Sequence, residues 1–129
     1  MSDTYNNYRF SKDHEWIVKS EGNKFKLGIS DYAQKALGDI VYLDIPGLNK
    51  KVKMGETIGT IESVKAVSDI FSPVSGMVES VNQSAINDPA IINQKPLDDG
   101  WILIMSDCNE EELNSLMSYN DYLKFISSL

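Results

Sequence analysis

Thr57-Ile58-Gly59-Thr60-Ile61, Glu62-Ser63-Val64-Lys65-Ala66 and Val67-Ser68-Asp69-Ile70-Phe71 follow one another without a break. The two outer runs are rich in β-branched and aromatic residues, which fit a pleated, half-buried surface. The middle five residues, one lysine among small neighbours, then make the reversal of a hairpin. Lys65 is the only cationic side chain between Lys53 and Lys95. An ammonium isolated among carboxylates such as Glu62 and Asp69 is expected to be charged and exposed. A lysine at a hairpin end is ordinarily a solvated polar group and no more. Its chemistry has to be argued from the rest of the chain.

A chain of 129 residues is long enough for a genuine core without staples and is most simply one domain. Its expected division is a core over about residues 10–107, with a helical segment at 109–129 packed on it. A hydrophobic fraction of 42% with 24% charged residues is ordinary for a globular protein. The formal net charge of -7 argues against nucleic acid, whose affinity comes largely from neutralising phosphates. It argues equally against an anionic membrane surface. The one cysteine, Cys108, cannot form an internal disulfide, so a reducing compartment and a small, partly buried apolar role are expected. Met1-Ser2-Asp3-Thr4-Tyr5-Asn6-Asn7 has neither a secretory build nor an arginine-rich amphipathic one, which points to the cytoplasm, most simply a bacterial one.

In chain order, residues 1–8 read as polar and loose. Trp16-Ile17-Val18-Lys19 reads as a strand, and the turn Glu21-Gly22-Asn23 leads into the alternating Lys24-Phe25-Lys26-Leu27-Gly28-Ile29, making a hairpin. Asp13-His14-Glu15 invites a metal reading. A lone histidine without a second ligand cluster supports it weakly, and a hydrogen-bonded histidine at the mouth of the sheet is expected instead. Ser30 caps a short helix that carries Tyr32, Ala33, Ala36 and Leu37 and stops at Gly38. Asp39 to Ile45 is a strand ended by Pro46-Gly47, and Lys50 to Glu56 is a basic turn. Beyond the hairpin, Ser72 to Gly76 is a turn and Met77 to Val81 a strand. Two glycine turns, at Gly55 and Gly76, echo each other on either side of Lys65.

Asn82 to Lys95 reads as polar and irregular, with one turn of helix at Ala90-Ile91-Ile92. Trp101 to Met105 is a closing strand, buried on both faces by its unbroken apolar character. From Asn109 the period changes: Glu110 to Glu112 suit a first helical turn, and Leu113, Leu116 and Met117 fall on one face. A second helix starts at Asn120 and packs through Tyr122, Phe125 and Ile126.

Glu62-Ser63-Val64-Lys65-Ala66, continuing through Val67-Ser68-Asp69, resembles the lipoylation site of the glycine cleavage system H-protein family. The likeness extends to Asp13-His14-Glu15-Trp16, Leu27 to Gln34, Ala36 to Tyr42, Ser72 to Gly76 and Asp99-Gly100-Trp101, in the family's order and at family-like distances. The resemblance implies a mainly β protein, a lipoyl-type flattened β-sandwich or barrel of the hybrid-motif kind, with short peripheral and C-terminal helices. It implies lipoic acid bound covalently to Lys65. It also implies a carrier that is not itself an enzyme. Such a carrier takes an aminomethyl group from a pyridoxal-phosphate glycine decarboxylase to a tetrahydrofolate-dependent aminomethyltransferase, and is then reoxidised by dihydrolipoyl dehydrogenase. The expected partners are these three enzymes and a lipoate ligase or lipoyl transferase, with the carrier a monomer.

Elementary chemistry agrees with that role for Lys65. Its stem is long and flexible, and an amide at its end removes the charge. A dithiolane supplies thiol–disulfide chemistry that a lone Cys108 could not. Small neighbours Ser63 and Ala66, beside Val64, leave the amine accessible, and Glu62 offers a recognition charge for the ligase. The resemblance implies that Glu15 and Asp69, with Asp13 a weaker third, face the cationic cargo in a resting cleft. Two departures from the family pattern are the closing strand, which lacks a frequent lysine, and Leu97, where an aromatic is common. A lipoyl relay serving 2-oxoacid dehydrogenase carriers is the alternative. A biotin carrier fits less well, because Val64 and Ala66 stand where methionines would. Schiff-base chemistry at Lys65 would need burial or a neighbouring cation. An unmodified binding module would leave Lys65 incidental.

Overall fold

The computed structural model describes residues 5–129; residues 1–4, part of the opening expected to be loose, lie outside that range. Among the described residues nine strands form two antiparallel sheets. Six of them, Arg9–Phe10 (β1), Glu15–Lys19 (β2), Phe25–Ile29 (β3), Lys51–Val52 (β5), Gly76–Val81 (β8) and Leu103–Ser106 (β9), make a sheet in the order β1-β2-β3-β9-β8-β5. Ile40–Asp44 (β4), Thr57–Ser63 (β6) and Val67–Phe71 (β7) make a smaller sheet in the order β4-β6-β7. Ile17, Leu27, Val78, Leu103 and Met105 from the first sheet meet Ile40, Leu43, Ile58, Ile61 and Ile70 from the second in one buried cluster. The architecture is therefore an open two-sheet sandwich. The barrel alternative is not realised, because the two sheets share no ladder that would close them.

The long hairpin runs in register from Thr57 opposite Phe71 to Glu62 opposite Val67, with one irregularity between Thr57 and Gly59. Gly59 is required there: a Cβ would collide with Ile45 Cδ1 and sit 2.5 Å from the carbonyl oxygen of Asp44. The echoing glycine turns prove to be neighbours, since Val52 at the first pairs with Gly76 at the second. Part of the expected basic turn is thus the edge strand β5, where lysines discourage pairing with another chain.

A second, aromatic cluster holds the chain ends. Phe10, Trp16 and Tyr122 are buried together, with Phe10 and Tyr122 stacked at 4.4 Å. Trp16 lies opposite Gly28 on β3, and its indole N–H donates to the carbonyls of Ile29 and Pro96, both at 2.9 Å. A Cβ on Gly28 would approach the indole to 2.6 Å. Gly28→Ala is expected to lower stability by about 2 kcal/mol through overpacking, visible as a lower urea midpoint at unchanged slope.

Several sequence expectations need correction. Residues 5–8 are held down rather than loose: Tyr8 donates to the carbonyl of Leu97 at 2.7 Å and packs on Trp16, while Tyr5 packs edge-on against Tyr8 and Tyr119. The expected turn of helix at Ala90 to Ile92 is present and extends over Ala90–Gln94 (α3). The stretch before it, expected to be irregular, is also ordered, as the short helix Gln83–Asn87 (α2), both after the expected helix Asp31–Leu37 (α1). Helices α2 and α3 each insert one fully buried apolar side chain, Ala85 and Ile92. The expected helix from Asn109 is a 3-10 segment, Glu110–Ser115, fastened to the Ser75 backbone by the carboxylate of Glu112. The last helix, Tyr119–Ser127 (α4), is capped by Ser118, not by Asn120. Cys108 packs half-buried against the main core, and burial pushes its thiol up to about 12, so it is inert.

Candidate functional site

Val64, Lys65 and Ala66 form the tip between β6 and β7, and all three are exposed, Val64 at 69%. The tip is tight rather than floppy. Ser63 N–H donates to the Ala66 carbonyl at 2.8 Å, and the Ser63 hydroxyl oxygen accepts from the N–H groups of Lys65 and Ala66 at 3.3 and 3.1 Å. Ser63 is itself buried, so it shapes the turn and presents no surface. The Val64 N–H donates across to the carbonyl of Asp39 at 3.0 Å, pinning the tip to the α1–β4 joint. That joint is fixed in turn by Asn93, which bonds the Gly38 carbonyl, the Ile40 N–H and the Gln34 side chain, each at 2.9 Å.

Gly38 has φ of 84°, the left-handed region that favours glycine, and the stem of Lys65 runs directly over it. A Cβ there would meet Lys65 Cε at 3.3 Å. The sequence marked Gly38 as a helix stop, which it is, but gave no sign that it also clears room for the lysine. Asn93 and the carbonyl of Asp39 were likewise missed. No local pattern signals a contact between residues this far apart.

Beside the tip lies a cleft of about 220 Å³ bounded by Asp13, His14, Glu15, Tyr32, Ala36, Leu37, Ile61, Ser68 and Asp69. The structure therefore brings Glu15, Asp69 and Asp13 to one place, as the resemblance implied. Their situations differ. Asp69 and Asp13 are exposed, whereas Glu15 is only 3% exposed. The Glu15 carboxylate accepts from the Ser11 hydroxyl at 2.6 Å and from the Phe71 N–H at 3.2 Å. Burial outweighs these hydrogen bonds and raises its pKa from the usual 4.5 to about 7. Glu15 is thus a carboxyl poised between its two charge states, in the wall of the cleft.

His14 sits at φ of 72°, its Nδ1 2.8 Å from the Tyr122 hydroxyl and its ring tilted against Tyr32 at 4.7 Å. The Tyr122 hydroxyl is also 2.6 Å from Ser30 Oγ, so the last helix is tied to the start of α1. Burial lowers the His14 pKa, opposed by the Asp13 carboxylate. It is the hydrogen-bonded histidine expected from the sequence. Among the described residues no group of three His, Cys, Asp or Glu side chains is arranged to hold a metal ion.

Sheets, tip and cleft together define a scaffold that presents one lysine beside a partly acidic groove. A family model described as Glycine cleavage H-protein matches residues 8–129. Proteins called Glycine cleavage system H protein from Coprothermobacter proteolyticus and Carboxydothermus hydrogenoformans are 45% and 43% identical to this chain. The first match covers 92% of this chain and 93% of the relative, the second 98% and 96%. The crystal structure of a glycine cleavage system H protein from Mycobacterium marinum superposes with a TM-score of 0.83 at 32% identity, covering 95% of this chain and 98% of that one. The chain belongs to the glycine cleavage H-protein family.

Proposed function

We propose that Lys65 is the attachment point for lipoic acid, and that the chain serves glycine cleavage as a carrier, with no catalytic step of its own. The observation that carries this is the tip itself: one exposed lysine on a turn whose backbone is tied by Ser63, Ala66 and Asp39, its stem lying over Gly38. When bound, the lipoyl group supplies the dithiol–disulfide chemistry and holds the one-carbon cargo. The residues of the chain do the rest. Ser63 and Asp39 fix the backbone at the base of the lysine, and Gly38 leaves room for its stem.

The cleft fits a swinging group that needs shelter. Leu37 and Ile61 give it an apolar wall, and Glu15 with Asp69 sets negative charge where a cationic amine would rest. Glu15 can ionise as the amine arrives, since its carboxyl lies near its midpoint at neutral pH. The partners on this reading are the pyridoxal-phosphate decarboxylase, the folate-dependent aminomethyltransferase, dihydrolipoyl dehydrogenase and the enzyme that attaches lipoate. The compartment is the cytoplasm, in keeping with the bacterial relatives; among the described residues no helix is long and apolar enough to cross a membrane. Intact-mass measurement of protein isolated from its own cells, followed by peptide mapping, should show one lipoyl amide on Lys65. A bare Lys65 under lipoate-replete growth would sink the proposal.

A further inference from the structure

Glu15 is a wall shared by two cavities. On one side is the cleft beside Lys65, and on the other a cavity of about 310 Å³ bounded by Phe10, Ser11, Met54, Pro73 and Leu116; Asp13 and Glu15 line both. The Glu15 side chain is buried between them, so the groups that hold its carboxyl decide which cavity it serves. One holder is the Phe71 N–H, which donates to Oε2. The other is Ser11, which borders only the second cavity.

Ser11 and Glu15 close the turn between β1 and β2. The Ser11 N–H donates to the Glu15 carbonyl at 2.9 Å, and the His14 N–H donates to the Ser11 carbonyl at 3.1 Å. The Glu15 N–H donates to Ser11 Oγ at 3.1 Å. With one lone pair of Oγ so engaged, the serine hydroxyl donates to Glu15 Oε1, 2.6 Å away. Two donors, one on each carboxyl oxygen, favour the ionised form. The neutral acid reverses the serine bond: its O–H on Oε1 donates to Ser11 Oγ, and the serine hydrogen turns toward solvent in the second cavity. Ser11 thus has one hydroxyl position for each charge state of Glu15, and it acts from the side away from the cleft.

Resting on the reading that Glu15 meets the cationic cargo, we propose that Ser11 is a positioning residue of this carrier, its hydroxyl holding the Glu15 carboxylate charged and turned to the cleft rather than to the cavity behind it. The titratable and charged groups around Glu15 are Lys12 and Asp13 of the same turn, its neighbour His14, Tyr32 of α1, Asp69 of β7 and Tyr122 of α4. Burial and, more weakly, Asp13 favour the neutral acid, while Ser11 and the Phe71 N–H oppose them. Loss of the hydroxyl therefore shifts Glu15 toward its neutral form, and a neutral acid offers the cationic amine no counter-charge.

The test follows the carboxyl carbon of Glu15 by NMR in the full-length chain, the signal assigned through its loss in Glu15→Gln. Ser11→Ala should raise the titration midpoint by about one unit, as expected for a lost hydrogen bond to a charged group. Ser11→Thr keeps the hydroxyl and should restore the wild-type midpoint; Ser11→Cys, a weaker donor, should fall between. In the cargo-loaded carrier, Ser11→Ala should shorten the lifetime up to about fivefold near neutral pH, a loss that raising the pH recovers. A merely structural Ser11 would lower the unfolding midpoint without moving the Glu15 titration. An unmoved titration in Ser11→Ala, or Ser11→Thr behaving like Ser11→Ala, would overturn the proposal. So would a loaded lifetime shortened in Glu15→Gln but unchanged in Ser11→Ala. A lifetime unchanged in both variants would instead remove the cargo role of Glu15 on which the proposal rests.

Discussion

Lys65→Arg is expected to remove carrier activity completely while leaving the fold intact. Arginine keeps the positive charge and most of the stem, so the exposed tip and its backbone bonds to Ser63, Ala66 and Asp39 should survive. A guanidinium stays protonated at any accessible pH and does not form the amide that a lysine amine forms. Glycine-dependent release of carbon dioxide, reconstituted with the decarboxylase and this chain as sole carrier, should fall to background. The variant should show no lipoyl mass increment, and its unfolding midpoint should be unchanged. Activity persisting in Lys65→Arg, or a lipoyl group appearing on another residue, would remove Lys65 from its role.

The second large effect lies in Glu15 and is read as a difference in stability against pH. The unfolded chain ionises this carboxyl near its usual 4.5, the folded chain near about 7. A raised carboxyl pKa means that the folded state holds the proton more tightly. Its stabilising contribution is full below pH 4.5, declines as pH rises and is gone above about 7. The gap corresponds to about 3 kcal/mol at most. Glu15→Gln keeps an oxygen for the Phe71 N–H and offers an N–H to Ser11, so it mimics the protonated form at every pH. The variant should match the wild type near pH 4.5 and exceed it by up to about 3 kcal/mol at pH 8, measured by urea unfolding. Subtracting the two curves cancels the opposing titration of His14, whose lowered pKa withdraws stability as pH falls. Parallel curves across this range would show that Glu15 does not titrate as described.

The same substitution separates stability from function. Glu15→Gln and Asp69→Asn should each shorten the lifetime of the cargo-loaded carrier, read as faster release of formaldehyde and ammonia. Neither should prevent lipoylation. A more stable protein that protects its cargo less well would identify the buried charge as a functional strain kept in the fold.

Much of the scaffold is legible in one dimension because short-range patterns encode it. Alternation and β-branched residues mark β2, β3 and the hairpin. Ser30 and Gly38 mark the ends of α1 through hydrogen bonds spanning a few residues. Where the local signal is thin, the expectation fails. Helix α2 is five residues long, too short for a period, and its polar face masks the single buried side chain Ala85, whereas the first turn of α3, Ala90 to Ile92, is legible from the sequence. The 3-10 segment at Glu110 shows the acidic start of a helix, but its tie to Ser75 lies far away in the chain.

The sequence by itself determined the longer strands, the reversal at residues 62–66 and the isolation of Lys65 in charge, since each depends on residues close along the chain. The two-residue strands β1 and β5 carried no such signal. Only the tertiary structure decided that Glu15 is buried, that Gly38 and Asp39 underlie the lysine and that Glu15 separates two cavities. The Phe71 N–H that meets Glu15 lies 56 residues away. Burial and facing are properties of packed neighbours, and neighbours of that kind are chosen by the fold rather than by adjacency in sequence.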